Sequence, residues 1–233
     1  MRTARSETHY DLRELGECCL EILNDLLRDH FRWREVVRIL ERIGYREVRR
    51  ARQWELNLIT NRERLLTGSE KGRERMAEQG VHMLTLGSDI DPDRLKKLYK
   101  VSTAAQNDIP TTVPIPVMQF DEWHHLFFDN PGTRADRFWI AREGDAIVGM
   151  SVIQYPPTRG FPWTAFTGTM PSVRGRGIAR ALKYETVRQA IELGAERIRT
   201  QNDGANAPIL HINAEMGYEP ITPILELHRE LGS

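Results

Sequence analysis

The sequence predicts a mixed α/β fold, built around one sheet between residues 82 and 233. Three successive segments, FWIAREG, AIVGMSVIQYP and PWTAFTGTM, have the residue pattern of strands. After Met170 the apolar residues recur at helical spacing, and strand and helix patterns then alternate toward the C-terminus. Strand and helix patterns mixed in one region are typical of a sheet covered by helices.

Composition and charge exclude several classes of protein. A chain of 233 residues can form one full domain, or one domain plus part of a second. Its 33 basic residues balance its 33 acidic residues, so no global field favours nucleic acid or an anionic membrane. The apolar runs are too short to span a bilayer, and the N-terminus lacks the apolar core of a signal peptide. We therefore expect a cytoplasmic protein that binds neither nucleic acid nor membrane.

The first 80 residues are predicted to form helices joined by extended segments. Leucines at helical spacing in the first thirty residues indicate an amphipathic helix that contains Cys18 and Cys19. Adjacent cysteines match neither a disulfide framework nor a metal site, and we expect no metal. The following predicted elements are a helix from Phe31 to Ile43, extended segments from Tyr45 to Thr60, and a charged helix that ends near Gly80.

The region after residue 81 begins with a strand pattern in HMLTLGSDI and a helix pattern in DPDRLKKLYKVSTAAQND. Asp91 is predicted to cap this helix, with Pro92 at its first position. A loop follows, because three prolines there remove backbone donors. A short helix in FDEWHHLFFDNPG then places Asp121 in its first turn.

Glycines mark the boundaries of the later elements. Gly144-Asp145 predicts a tight hairpin turn between the first two of the three strands. Gly194 is predicted to end a long helix that begins after Gly177. The remaining predicted elements are a strand in ERIRTQN, a helix in PILHINAEMG and an extended segment in ITPILELHREL.

The segment Arg174-Gly175-Arg176-Gly177 joins a predicted strand to the start of the long helix. The first amides of a helix have no partners within it, and the helix dipole places partial positive charge there. Glycines let the backbone close around an anion, and arginines can add charge to phosphate oxygens. A plain helix start with two solvated arginines is the alternative interpretation, because short glycine motifs are not specific.

The longer segment from Val173 to Ala179 resembles the pyrophosphate turn, R/Q-x-x-G-x-G/A, of the GNAT superfamily of N-acetyltransferases. The later Thr200-x-Asn202, Asn206 and Met216-Gly217-Tyr218 follow in the order and spacing of that family. The resemblance covers roughly residues 82–233. It implies a mostly antiparallel sheet flanked by helices, in which the strand before the turn is splayed away from its neighbour. It also implies acetyl-CoA as co-substrate.

The resemblance implies where coenzyme A would bind. Pantetheine would lie in the gap beside the splayed strand and pair with its main chain, while the pyrophosphate would bind amides of the turn. Asn206 would contact the pantetheine arm from the opposite wall, and it also suits an Asx turn or helix cap. The implied coenzyme A ligands are Thr167, Thr169, Met170, Arg174, Gly175, Arg176, Gly177, Ile178, Ala179, Asn206 and Asn213.

The implied reaction is direct transfer of an acetyl group to the neutral amine of a small molecule. This reaction needs a proton acceptor for the amine, donors for the thioester oxygen and an acid for the leaving thiolate. The usual acid of the family is a Tyr seven residues after the pantetheine Asn, and Asn213 holds that position here. Tyr218 is the nearest phenol in sequence, with a core position as its other interpretation. The alternative function is a coenzyme A-binding sensor or interaction module without catalysis.

Candidates for the acceptor side of the site come from other segments. His125, next to His124 on the predicted short helix, is a candidate base because histidine titrates near neutral pH. A solvated histidine is the alternative. Asp108 and Glu122 are candidate ligands of a cationic acceptor, although Asp108 equally suits a helix end or a turn. Trp163 is a candidate wall of the acceptor pocket or a core residue.

A faint internal repeat relates residues 39–58 to residues 212–231, which share a helix, Gly-Tyr and a strand that ends in Glu-Leu. The first of these segments is similar to the tail of the first copy in tandem members of the family. We therefore predict that residues 1–80 are the remnant of a truncated first copy and that residues 82–233 form the GNAT-like domain. The remnant lacks a glycine-arginine turn, so its predicted role is to complete the sheet or to form a homodimer contact.

Overall fold

The computed structural model describes residues 33–109, 118–155 and 161–229. The helix predicted in the first thirty residues and the loop prolines 110, 114 and 116 lie outside the described residues. The chain divides into two compact units, of which one is Ala51–Pro223 and the other joins Met1–Arg50 to Ile224–Ser233. These bounds differ from the division into residues 1–80 and 82–233, which stays a prediction.

The described residues form six helices and seven strands, close to the pattern predicted for these parts of the chain. The helices are α1 Trp33–Arg42, α2 Arg62–Glu78, α3 Arg94–Gln106, α4 Phe120–Phe128, α5 Ile178–Glu192 and α6 Ala207–Met216. The strands are β1 Arg46–Asn57, β2 Val81–Thr85, β3 Thr133–Glu143, β4 Ala146–Gln154, β5 Trp163–Thr169, β6 Arg197–Asp203 and β7 Glu219–His228. A single 3₁₀ turn, Pro171–Val173, is described between β5 and α5.

The seven strands form one sheet in the order β2-β3-β4-β5-β6-β1-β7. Neighbours from β2 to β5 are antiparallel, as are β6 and β1, whereas β5 and β6 are parallel. The prediction of a mixed, mostly antiparallel sheet is confirmed. Strand β1 lies beside β6 with Ala51 opposite Asp203 and Asn57 opposite Arg197. Completing the sheet is one of the two roles predicted for the N-terminal region.

The central strands β3 and β4 are covered by helices on both faces. One face packs against α3 and α4, and the other packs against α5 and the end of α2. Because both faces are buried, β4 is an almost continuous apolar run instead of an alternating one. The side chains of β3 and β4 on the first face are Phe138, Ile140, Ile147, Met150 and Val152, and those on the second are Trp139, Ala141 and Val148.

Helix α2 is joined to α5 by a buried carboxylate and a close backbone approach. Glu185 is fully buried, and it accepts hydrogen bonds from Ser69 Oγ at 2.7 Å and from Arg73 at 2.8 and 2.6 Å. Arg188 donates to the same carboxylate. Because the charge has three donor residues, its burial is compatible with a stable helix pair.

One helix start differs from the prediction. Helix α3 begins at Arg94 with Asp93 as its N-cap residue, so the prediction of Asp91 as cap and Pro92 as first helical residue was wrong. The Asp91 carboxylate instead accepts from Asp93 N and pairs with Lys97 and Arg142 at 2.8 and 2.6 Å. These hydrogen bonds, that of Lys97 first, hold the pKa of Asp91 well below its usual range.

The predicted hairpin turn is confirmed. Strand β3 ends at Glu143 and β4 begins at Ala146, so Gly144 and Asp145 form the connection. Gly144 has a φ of 55°, a left-handed conformation that favours glycine. In the smaller unit, Arg229 donates to the carbonyl of Ile43 at 3.2 Å and lies over the ring of Tyr45.

Two glycines of α2 predict opposite effects of the same substitution. A Cβ on Gly72 would lie 3.5 Å from the Cβ of Ala181, an ordinary contact, whereas a Cβ on Gly68 would lie 2.4 Å from the ring of Tyr184. Glycine to alanine in a helix normally stabilises by about 0.5–1 kcal/mol. We expect Gly72→Ala to raise the free energy of unfolding, and Gly68→Ala to lower it by about 1 kcal/mol or more because of overpacking. Urea unfolding of both variants tests this, and equal stabilisation by both would contradict the close approach of α2 and α5.

Candidate functional site

Strands β5 and β6 are paired only at one end. Parallel pairing joins Trp163 to Arg199 and Thr164 to Thr200. Beyond Thr164, β5 continues along β4, and beyond Thr200, β6 continues along β1. The two strands therefore diverge, and they leave a gap between facing main-chain edges. The splayed strand that the resemblance implied is present.

The register of β5 shows which main-chain groups face this gap. Met170 N donates to Val148 O at 2.9 Å, and the Met170 carbonyl accepts from Val173 N at 3.2 Å. Successive residues of a strand direct their main-chain groups to alternate edges, so those of Thr167 and Thr169 point away from β4 and into the gap. The structure thus places two of the three predicted main-chain ligands on the gap. The main-chain groups of the third, Met170, already make hydrogen bonds within the protein.

The gap leads to the N-terminus of α5 through the segment Arg174–Gly177. Gly175 and Gly177 have φ angles of 77° and 88°, which glycine alone adopts without strain. Gly177 is the N-cap residue of α5, and as a glycine it has no side chain to cap the helix. The first amides of the helix, including those of Ile178 and Ala179, therefore have no helical acceptor and are suited to an anion.

The two arginines of this turn are held by carboxylates. Arg174 pairs with Asp108 at 2.5 Å, with both side chains close to half exposed. Arg176 makes two hydrogen bonds to Glu143, at 3.2 and 2.9 Å, and this pairing lowers the pKa of the Glu143 carboxyl. Asp108, a predicted acceptor ligand, therefore lies at the turn, and both arginines contribute to the shape of the turn as well as to its charge.

A third arginine at the turn comes from α2 and was missed in the sequence. The guanidinium carbon of Arg75 would lie 3.6 Å from a Cβ placed on Gly177. Arg75 is exposed, and within the described part of the chain it makes no ion pair. It lies about a hundred positions before the turn, so no local sequence pattern could have associated the two.

The wall opposite β5 is formed by β6 and α6. Asn206 is the N-cap residue of α6 and is half-buried, yet its side chain makes no capping hydrogen bond. Asn206 therefore lies at a helix start, as its interpretation as a helix cap predicts, but its side-chain amide does not cap the helix and is available to a ligand.

Asn213, which replaces the expected tyrosine, is fully buried in a chain of polar side chains. Lys183 Nζ donates to Asn213 Oδ1, and Asn213 Nδ2 donates to Asn202 Oδ1 at 2.7 Å. Lys183 is only 1% exposed, and its Nζ lies 4.6 Å from the centre of the Tyr218 ring. Burial lowers the pKa of Lys183 to about 7. Sequence reasoning missed this lysine, because a helical lysine is usually exposed.

Tyr218 lies in the core, among residues that include Trp54 and Ile198. It is 4% exposed, and burial raises the pKa of its hydroxyl well above the ordinary value. A phenol with a raised pKa gives up its proton less readily, which argues against a role as the catalytic acid.

The remaining predicted residues do not converge on the gap. His125 is 70% exposed on α4, with Nδ1 2.9 Å from the Asp129 carboxylate. Glu122 caps the same helix by accepting from Gln119 N at 3.0 Å. Trp163 is buried at the closed end of the gap, where it pairs with Arg199 one residue before the last pair of β5 and β6, Thr164 and Thr200. Of these three, Trp163 alone borders the diverging strands.

Two kinds of feature are absent from the described residues. Within these ranges no group of three or more His, Cys, Asp or Glu side chains is placed to hold a metal ion. Nor does any helix in the same ranges have the length and apolar content to cross a membrane.

Comparison with known families decides the relationship. Residues 104–218 match the model of the acetyltransferase (GNAT) family, a stretch that contains the diverging strands, the turn, α5 and α6. Residues 104–218 belong to the GNAT family. A comparison with curated proteins gave no match.

Solved structures share the GNAT fold. A GCN5-related N-acetyltransferase from Sphaerobacter thermophilus aligns at a TM-score of 0.60 and 20% identity, over 84% of this chain and 56% of that one. A GCN5-related glucosamine N-acetyltransferase region of a fungal multi-domain GH3 β-N-acetylglucosaminidase aligns at a TM-score of 0.58 and 14% identity, over 86% of this chain and 23% of that one. A tandem GNAT protein from the clavulanic acid biosynthesis pathway aligns at a TM-score of 0.52 and 13% identity, over 82% of this chain and 57% of that one. The matches span less than two thirds of each of these proteins, and identities this low support the fold alone.

The buried Lys183 of this GNAT region predicts a pH-dependent stability. Between about pH 7 and its ordinary pKa of 10.5, Lys183 binds a proton in the unfolded chain but not in the folded one. The free energy of unfolding should therefore rise with pH in this window, by up to about 1.4 kcal/mol per pH unit. Below pH 7 both states are protonated, so this contribution is constant and at its most unfavourable.

Urea unfolding of the wild type and of Lys183→Met, measured from about pH 6 to pH 9, tests this linkage. Methionine preserves the length of the side chain without a titrating group, so the variant should lack the rise above pH 7. The same slope in both proteins would show that Lys183 keeps an ordinary pKa.

Proposed function

We propose that this chain is an acyl-CoA-dependent N-acyltransferase that moves the acetyl group of acetyl-CoA to the amine of a small molecule. The observation that carries the proposal is the gap between β5 and β6, which runs from the last paired residues to the N-terminus of α5. Such a gap offers strand edges to the amides of pantetheine, in the manner of an added strand. At its open end, helix amides face the position of a pyrophosphate.

The residues divide the binding of coenzyme A between them. Main-chain groups of Thr167 and Thr169 pair with the pantetheine amides, and the amides of Ile178 and Ala179 bind the pyrophosphate. Asn206 contacts the pantetheine arm from the α6 side. The Arg174–Asp108 pair is exposed and contributes little to folding, so a phosphate can replace the carboxylate on Arg174.

The proposed transfer is a direct attack. The amine nitrogen forms a bond to the thioester carbon, the carbon–sulfur bond breaks, and the thiolate leaves as coenzyme A. The amine loses a proton to water or a base, and the thiolate gains one. A thioester is already activated, so positioning of the two reactants supplies much of the rate.

A second candidate function is a coenzyme A sensor without turnover. It is favoured by Asn213, which stands at the position of the family's usual acid and has no proton of suitable pKa, and by the burial of Tyr218 in the core. Thiol release from acetyl-CoA against a panel of small amines separates the two functions. Turnover with any amine supports the transferase, whereas tight binding of acetyl-CoA with no thiol release on the whole panel supports the sensor.

Gly177→Glu tests the pyrophosphate site. The substitution adds bulk and negative charge at the N-terminus of α5, so we expect coenzyme A binding to be lost in calorimetry. Any L residue is strained at a φ of 88°, so Gly177→Ala serves as control, with the same strain and no charge. Normal binding of coenzyme A by Gly177→Glu would show that the pyrophosphate does not bind at this turn.

Arg75→Gln tests the contribution of α2. We expect binding of coenzyme A to weaken about tenfold, as for the loss of one charge-assisted hydrogen bond, and to depend less on salt. Arg62→Gln is the matched control, because it removes an exposed arginine of the same helix about 20 Å away. Equal calorimetric affinities of the two variants would show that Arg75 does not contact the ligand.

A further inference from the structure

Hydrogen bonds connect the side chains of Lys183, Asn213 and Asn202 in series, and Lys183 determines which group donates in each bond. Up to about pH 7 Lys183 is an ammonium that can only donate, so Asn213 presents its Oδ1 to Lys183. Its Nδ2 is then directed to Asn202, which must accept through Oδ1. The side-chain amide nitrogen of Asn202 is the free end of this hydrogen-bonded series, and it has no acceptor among the described residues.

This free end lies beside the gap. Asn202 is in β6, two residues beyond Thr200, the last residue paired with β5. Two residues of a strand span about 7 Å, so Asn202 borders the inner part of the gap near its closed end. Asn202 is half-buried, whereas Lys183 and Asn213 are completely enclosed. The series of hydrogen-bonded side chains therefore runs from the interior of the domain to the edge of the binding gap.

A buried lysine without a carboxylate is unfavourable for folding. Lys183 has one amide oxygen and the face of the Tyr218 ring as its partners. An apolar side chain of similar length would fill the same space without the cost of desolvating an ammonium. Departures from such rules are expected where they serve function.

We propose that Lys183, through Asn213, orients Asn202 so that its Nδ2 donates a hydrogen bond to the acyl carbonyl oxygen of bound acyl-CoA. This inference rests on the proposed function. Asn202 is the residue that touches the substrate, and Lys183 and Asn213 are positioning residues. A donor fixed on the carbonyl oxygen polarises the thioester and stabilises the negative charge that develops as the amine attacks.

Infrared difference spectroscopy with [1-¹³C]acetyl-CoA observes this hydrogen bond directly. We expect the thioester carbonyl band to move to lower wavenumber when acetyl-CoA binds the wild type. Asn202→Ala and Lys183→Met should both lose most of this movement. Thr186→Val is the control, because it removes another buried polar group of α5 that lies outside the chain of amides, and it should keep the band position of the wild type.

Calorimetry with coenzyme A and acetyl-CoA provides the second measurement. The wild type should bind acetyl-CoA about three- to tenfold more tightly than coenzyme A, and Lys183→Met should lose this preference while its affinity for coenzyme A is kept. Retained binding of coenzyme A also shows that the variants are folded. A merely structural role for Lys183 would change neither the carbonyl band nor the preference.

The possible failures are distinguishable. If the wild type binds neither ligand, the proposed function itself is wrong. If it binds both and the carbonyl band keeps its movement in Asn202→Ala and Lys183→Met, the role of the side-chain donor is overturned and coenzyme A binding stands.

Discussion

The early end of pairing between β5 and β6 is the constraint on which the rest of the site depends. Each strand is held on its other edge, β5 by β4 and β6 by β1. Because these outer pairings continue after Thr164 and Thr200, the inner edges separate while both strands stay in the sheet. Strand β1, which precedes the region that matches the family, is therefore part of what keeps the gap open.

The local charge at the turn contrasts with the balanced charge of the whole chain. Arg174, Arg176 and Arg75 come together around the N-terminus of α5. Two of them are also bound to carboxylates, so they hold the loop in place without a ligand. Only the short-range field of the helix end and its arginines is available to attract a diphosphate, because no net charge acts at long range.

Two buried charged residues on α5 illustrate different solutions to the same physical problem. Glu185 has Ser69, Arg73 and Arg188 as donors, and it joins two helices. Lys183, two residues earlier, has only an amide oxygen and an aromatic ring. The first arrangement is explained by packing of α2 on α5. The second is not, and it points instead to the asparagines that border the gap.

The sequence by itself determined the features with local causes. Gly144 and Gly177 marked a hairpin turn and a helix start because only glycine adopts their backbone conformations without strain, and strand and helix periods followed from which faces are buried. The Asp91 cap failed because its carboxylate is drawn to Lys97 and Arg142, and Arg142 lies some fifty residues away in sequence. Tertiary structure alone decided the pairing of β1 with β6, the position of Arg75 and the burial of Lys183. Each depends on contacts between segments far apart in the chain, which leave no periodicity or spacing in the sequence.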